Sequence, residues 1–157
     1  MKIRANILVA LQFSLLGGLL LASHFSSNTT YYPATTFFIF LGLIILVLAF
    51  IALRPSLRVS PLPREGAPLI VRGVYKYVRH PMYLALLSIG LAVAANASNV
   101  IGWVLYLALI IVLNIKASFE DSLLRELHPE AVHYQMHTSK ILPCLGGSCR
   151  DNCGFNS

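Results

Sequence analysis

Four long stretches of this chain hold no Asp, Glu, Lys or Arg in their interiors, and that absence restricts the fold more than any other feature. They run from about Ala5 to Ser23, Ala34 to Leu53, Met82 to Ala95 and Val100 to Ile115. A helix needs about 20 apolar residues to cross the hydrocarbon core of a bilayer, and the first two stretches meet that length. The third and fourth are shorter. Asn96-Ala97-Ser98-Asn99 between them allows only a tight turn, so the pair reads as a helical hairpin that crosses on a thin or tilted path, or penetrates part of the bilayer. Only 11% of the residues are charged and 57% are hydrophobic, whereas a soluble domain carries about 25% charge. The expected fold is an all-α polytopic membrane protein of about four transmembrane helices, with a cytoplasmic C-terminal helix.

The basic residues orient it. Lys and Arg accumulate in cytoplasmic connectors. Lys2 and Arg4 precede the first stretch. Arg54, Arg58, Arg64, Arg72, Lys76 and Arg79 lie between the second and third, and Lys116, Arg125, Lys140 and Arg150 follow the fourth. The remaining connectors, Ser23–Pro33 and Asn96–Asn99, are uncharged. Four crossings with both termini in the cytoplasm place all 12 basic residues on one side. The net charge of +6 then forms a basic face toward anionic lipid headgroups. No motif supports a nucleic-acid partner. The first stretch also has features of a signal peptide, but its apolar run exceeds the usual h-region of about 7–15 residues.

The chain divides into an N-terminal helix pair (1–53), a core (54–143) and a Cys-containing tail (144–157). Prolines 55, 61, 63 and 68 make Arg54–Pro68 an irregular, stiff loop. Pro81 is a helix start signal, because proline suits the first helical turn. Arg79 and His80 therefore stand at a helix mouth, where the positive end of the dipole favours an anion. Beyond the fourth stretch, Phe119, Leu123, Leu124 and Leu127 form an apolar stripe at helical spacing. A short helix is expected from Pro129 to His137.

Three constellations carry possible chemistry. Arg79, His80 and Tyr83 suit a carboxylate or other anion, since Arg offers a fork of donors and His exchanges protons near neutrality; the same residue types also serve as interfacial anchors. Glu120-Asp121 suits an ammonium or sulfonium group, or is a solvated helix face. Tyr134 and His137 lie three residues apart on one helical face, a spacing equally suited to packing. Cys144, Cys149 and Cys153 match no zinc spacing; in a cytoplasmic tail they are expected to be reduced thiols, and no metal site is expected.

The order of these elements carries a resemblance. Gly73-x-Tyr75-x-x-x-Arg79-His80-Pro81-x-Tyr83, a hairpin, Glu120-Asp121, then Tyr134 and Ile141-Leu142-Pro143 resemble the isoprenylcysteine carboxyl methyltransferase family and its phospholipid-methyltransferase relatives, over about Leu69 to Pro143. The resemblance implies an integral membrane enzyme that uses S-adenosylmethionine. It implies a cofactor enclosure drawn from Gly73, Tyr75, Arg79, His80, Pro81, Tyr83, Glu120, Asp121, Tyr134 and His137, with Arg79, His80 and Glu120 closest to the chemistry. The chain departs from the family's pattern at Asp121, where a second Glu is usual, and at Ala131, His137 and Ser139, where an aromatic, an Arg and a Pro are common.

Under that resemblance Arg79 or His80 holds the cofactor carboxylate and Glu120 its ammonium or a substrate group, with a lipophilic acceptor arriving from the bilayer. A carboxylate acceptor needs no base; an amine or thiol acceptor would pass a proton to His80 or Glu120. The short chain with few loops points to a bacterial inner membrane. A non-enzymatic transporter or scaffold, or a degenerate family member, is the competing reading, although a proton-coupled transporter should bury an ionisable residue inside a span.

Overall fold

The protein is described here from a computed structural model, over residues 2–26, 32–53, 71–129 and 131–143. The Pro-rich stretch Arg54–Pro68 and the cysteine tail from Cys144 lie outside the described residues. The elements are α1 (Lys2–His24), α2 (Pro33–Leu53), a 3₁₀ turn (Gly73–Lys76), α3 (Pro81–Ala97), α4 (Val100–Leu127) and α5 (Ala131–His137). Among the described residues there is no strand, only an isolated parallel bridge between Val78 and Ser139.

The chain is all-helical, as expected. Helices α1, α2 and α4 are each long and apolar enough to cross a membrane, and α3 is a further apolar helix of 17 residues. At 1.5 Å per residue α3 spans about 25 Å, short of the roughly 30 Å hydrocarbon core. The hairpin differs in detail from the sequence reading. Helix α3 continues through Asn96 to Ala97, so the connection shrinks to Ser98 and Asn99, with Ser98 at φ 48°. Asn99 caps α4: its side-chain oxygen accepts the Gly102 amide at 2.7 Å, the preferred role for Asn at a helix start. Helix α4 runs unbroken for 28 residues, so the apolar stretch and the acidic pair share one helix. Helix α5 starts at Ala131 rather than Pro129.

The chain forms two compact units, Met1–Ile44 with Tyr83–Lys116, and Ile45–Met82 with Ala117–Ser157. In the first, small residues allow close helix approach. A Cβ on Gly42 would lie 2.7 Å from Ile89 Cγ1 and 2.9 Å from the Ala85 carbonyl, so α2 meets α3 only through a glycine. Ala85, Ala92, Ala94 and Ala97 are buried along α3, as is usual where helices associate in lipid by packing alone. Several polar groups in this unit are paired, although the buried Asn96 Oδ1 has no hydrogen-bond partner among the described residues. Lys116 donates to Gln12 at 3.0 Å and also sits 5.1 Å from the Tyr83 ring centre, and Asn99 donates to the Ala22 carbonyl. The outward faces are apolar: Ile101, Val104, Leu107, Ile111 and Ile115 recur every three or four residues along α4 and are all exposed. In water such a stripe would be a liability; against lipid tails it is solvated.

Candidate functional site

The second unit gathers the charged residues. Gly73 opens the turn at φ +64° after an extended Arg72, a conformation that glycine adopts without steric cost. Space does not restrict this position, because a Cβ would meet only the Ala52 methyl at 3.5 Å. After the 3₁₀ turn the backbone straightens through Val78 and His80 and is held by the chain beyond α5. The Arg79 amide donates to the Ser139 carbonyl at 2.9 Å and the His80 amide to the Lys140 carbonyl at 3.1 Å. Pro81, fully buried, then begins α3. Arg79 and His80 are thus fixed from both sides before their side chains make any contact.

Those side chains meet the acidic pair of α4. Arg79 Nη1 donates to Asp121 Oδ2 at 2.8 Å. His80 Nε2 lies 2.9 Å from Asp121 Oδ1, and its Nδ1 lies 3.6 Å from Glu120 Oε2. Both oxygens of Asp121 are therefore engaged. With its side chain 9% exposed, it is the internal clamp that orients Arg79 and His80. Glu120 is 33% exposed and is the more accessible carboxylate. The shorter acid at 121 is long enough to reach both basic groups.

Helix α5 supports the cluster. The Tyr134 hydroxyl donates to the Tyr75 carbonyl, tying α5 to the 3₁₀ turn. Gln135 Nε2 donates to the Asp121 carbonyl at 3.0 Å, and Lys140 Nζ donates to Ser118 Oγ two residues before the acidic pair. Burial pushes the Tyr134 phenol above its ordinary pKa; Arg79 opposes the shift, while Tyr75 and Asp121 add to it. Burial and then the charge of Glu120 raise Tyr75. Both phenols are hydrogen-bond donors at neutral pH and supply no base.

The structure thus brings together Tyr75, Arg79, His80, Glu120, Asp121 and Tyr134, from positions up to 59 residues apart. Gly73 shapes the turn. Tyr83 belongs to the first unit, beneath Lys116. His137 packs its ring against His133 at 4.6 Å, an i,i+4 contact within α5. Gln135 was not singled out from the sequence, and Ser139 and Lys140 were noted there only as a departure from the family pattern and as an orienting cation. The last two act largely through backbone carbonyls, which any residue carries, so no signal in residue type could have found them.

One atom points to a ligand. Arg79 Nε is buried and has no hydrogen-bond partner among the described residues. A buried guanidinium donor without a partner is costly. Chemically, the set suits a ligand that carries both a carboxylate, for Arg79, and an ammonium, for Glu120.

No curated protein and no solved structure matches the chain significantly. The family model described as the isoprenylcysteine carboxyl methyltransferase family matches residues 34–126. The match takes in α2, the hairpin, the Arg79–His80 segment and the acidic pair, and stops before Tyr134. This integral membrane chain belongs to the isoprenylcysteine carboxyl methyltransferase family, a family of membrane methyltransferases.

Proposed function

We propose that the protein is an S-adenosylmethionine-dependent methyltransferase that acts on a lipophilic or small carboxylate, amine or thiol at the cytoplasmic face of the membrane. The observation that carries this reading is the unpartnered Arg79 Nε beside an Asp121 whose two oxygens are already taken. Arg79 would hold the cofactor carboxylate by its free edge, and Glu120 would face the ammonium. When bound, the cofactor supplies a methyl group on a positively charged sulfur. Catalysis of such a transfer rests mainly on alignment, and here alignment begins with the protein. Asp121 fixes the Arg79 and His80 side chains, Ser139 and Lys140 fix their backbone, and Tyr134 fixes the turn before them. With an amine or thiol acceptor, Glu120 or His80 holds the proton that leaves the acceptor; a carboxylate acceptor has none to give. The clustering of Lys and Arg in the connectors around the site favours a cytoplasmic location, where a water-soluble cofactor is available.

Equilibrium dialysis with labelled S-adenosylmethionine tests the proposal. The purified parent should bind, and His80→Ala and Glu120→Ala should each bind at least tenfold more weakly. Unchanged binding in both variants would remove the site assignment, and no binding by the parent would remove the enzyme. Counting labelled methyl in lipid, small-molecule and protein fractions then identifies the acceptor class.

A further inference from the structure

The 3₁₀ turn has a second side. Away from the Tyr75 carbonyl that accepts the Tyr134 hydroxyl, the turn lines an open groove of about 670 Å³ beside the end of α2. Leu48, Ile51 and Ala52 form one wall, while Arg72, Lys76 and Tyr77 stand on the turn. The three α2 residues are spaced i, i+3 and i+4 and so share one helix face, near the end of a helix apolar enough to cross a membrane. Leu48 and Ile51 are exposed to whatever fills the groove. Arg72 and Lys76 are its charged lining residues, and both are exposed. Tyr77, also exposed, is of the type found at headgroup level.

This combination is amphipathic in a defined direction: an apolar bed on a spanning helix, then two cations and a tyrosine at its mouth. The C-terminus of α2 contributes about half a negative charge. Two full cations outweigh it, so the mouth attracts an anion. A free anion would leave the apolar wall uncovered and a neutral lipid would leave the cations unmatched; an anionic lipid satisfies both. We propose that this groove binds one membrane phospholipid with an anionic headgroup, its phosphate between Arg72 and Lys76 and an acyl chain along Leu48, Ile51 and Ala52. The site is separate from the Arg79–Asp121 contacts and stands whether or not the protein transfers methyl groups.

Native mass spectrometry of the full chain in mild detergent reads this directly. One phosphatidylglycerol should be retained, at least tenfold more tightly than phosphatidylcholine with the same acyl chains, and glycerol 3-phosphate should not displace it. Arg72→Gln with Lys76→Gln should cost roughly tenfold or more in phosphatidylglycerol retention, since each cation near a headgroup contributes about 1 kcal/mol. Arg4→Gln with Arg125→Gln, which removes two cations outside the groove, should leave retention unchanged. Ala52→Trp should block the lipid by filling the bed. Thermal unfolding without lipid checks that each variant folds. Unaltered retention in the Arg72/Lys76 double variant or in Ala52→Trp would overturn the proposal. Equal loss in both double variants would replace it with diffuse charge attraction, and displacement by glycerol 3-phosphate would replace it with a free-anion site.

Discussion

Helix α4 has two stretches that share one backbone and follow opposite rules. Along its membrane-length part Ile101, Val104, Leu107, Ile111 and Ile115 are apolar and exposed, and lipid serves each of them without a particular partner. From Ser118 to Asp121 its polar groups have specific ones: Lys140 on Ser118, His80 near Glu120, Arg79 and His80 on Asp121. Lipid dissolves a leucine on any face equally well. It does not dissolve a carboxylate or a guanidinium, which must find a partner or water. The first stretch therefore tolerates variation among apolar residues, while the second is exacting in identity and geometry.

The largest effect is expected from Asp121→Ala, which leaves the mostly buried Arg79 and His80 without their shared acid. Removing one partner of a buried ion pair typically costs about 3–5 kcal/mol, so denaturant unfolding in detergent should show a loss of that size, together with loss of S-adenosylmethionine binding. Next comes a place where the apolar region is also exacting. Gly42→Ala places a methyl 2.9 Å from the Ala85 carbonyl and 2.7 Å from Ile89, and overpacking of this kind costs roughly 1–3 kcal/mol. Gly17→Ala, with nothing within 4 Å, should be neutral or stabilising by up to about 1 kcal/mol in the same assay. Glu120→Gln should unfold like the parent yet bind cofactor about tenfold more weakly, since Glu120 is the accessible acid and Asp121 the structural one.

Two smaller effects concern the exposed face of α4 and the buried phenols. Leu107→Ala, on the exposed face of α4, should change stability by no more than about 0.5 kcal/mol, as for surface substitutions generally. A larger loss would mean that a protein partner, and not lipid, covers that face. The phenols give a pH test. Tyr75 and Tyr134 both have raised pKa values, so their neutral forms are favoured by folding. Their contribution to stability is complete below about pH 10, the ordinary phenol value, and is lost as pH rises through the folded values. Ultraviolet titration should show late-ionising tyrosines that disappear in Tyr75→Phe and Tyr134→Phe.

The helical class, the spanning stretches and the helix start at Pro81 were legible because each rests on local chemistry: hydropathy over a window, and a proline without an amide proton. The pairing of the Arg79–His80 block with Glu120-Asp121 was also legible, from opposite charge and a short hairpin. The division of labour within that pairing was not. Nothing in Glu120-Asp121 as a dipeptide says that Asp121 is engaged on both oxygens while Glu120 stays accessible; side-chain length and the position of His80 settle that. His137 looked like a partner for Tyr134 by spacing, yet its ring packs against His133, because a neighbour four residues away on the same helix face competes well for an aromatic contact.

Gln12 makes the same point in the apolar region. As a lone amide in α1 it carried no message in the sequence, and the structure gives it the Lys116 ammonium. The apolar helices and the charged residues that flank them follow from residue order alone, because partition into lipid depends on composition summed over about twenty residues. Packing sets which carboxylate each cation meets, has the carbonyls of residues 139 and 140 hold the Arg79–His80 backbone, and leaves Arg79 with one buried donor unmatched. Those outcomes depend on contacts across 41 to 60 positions of chain, where helix crossing and side-chain reach, and not local propensity, select the partner.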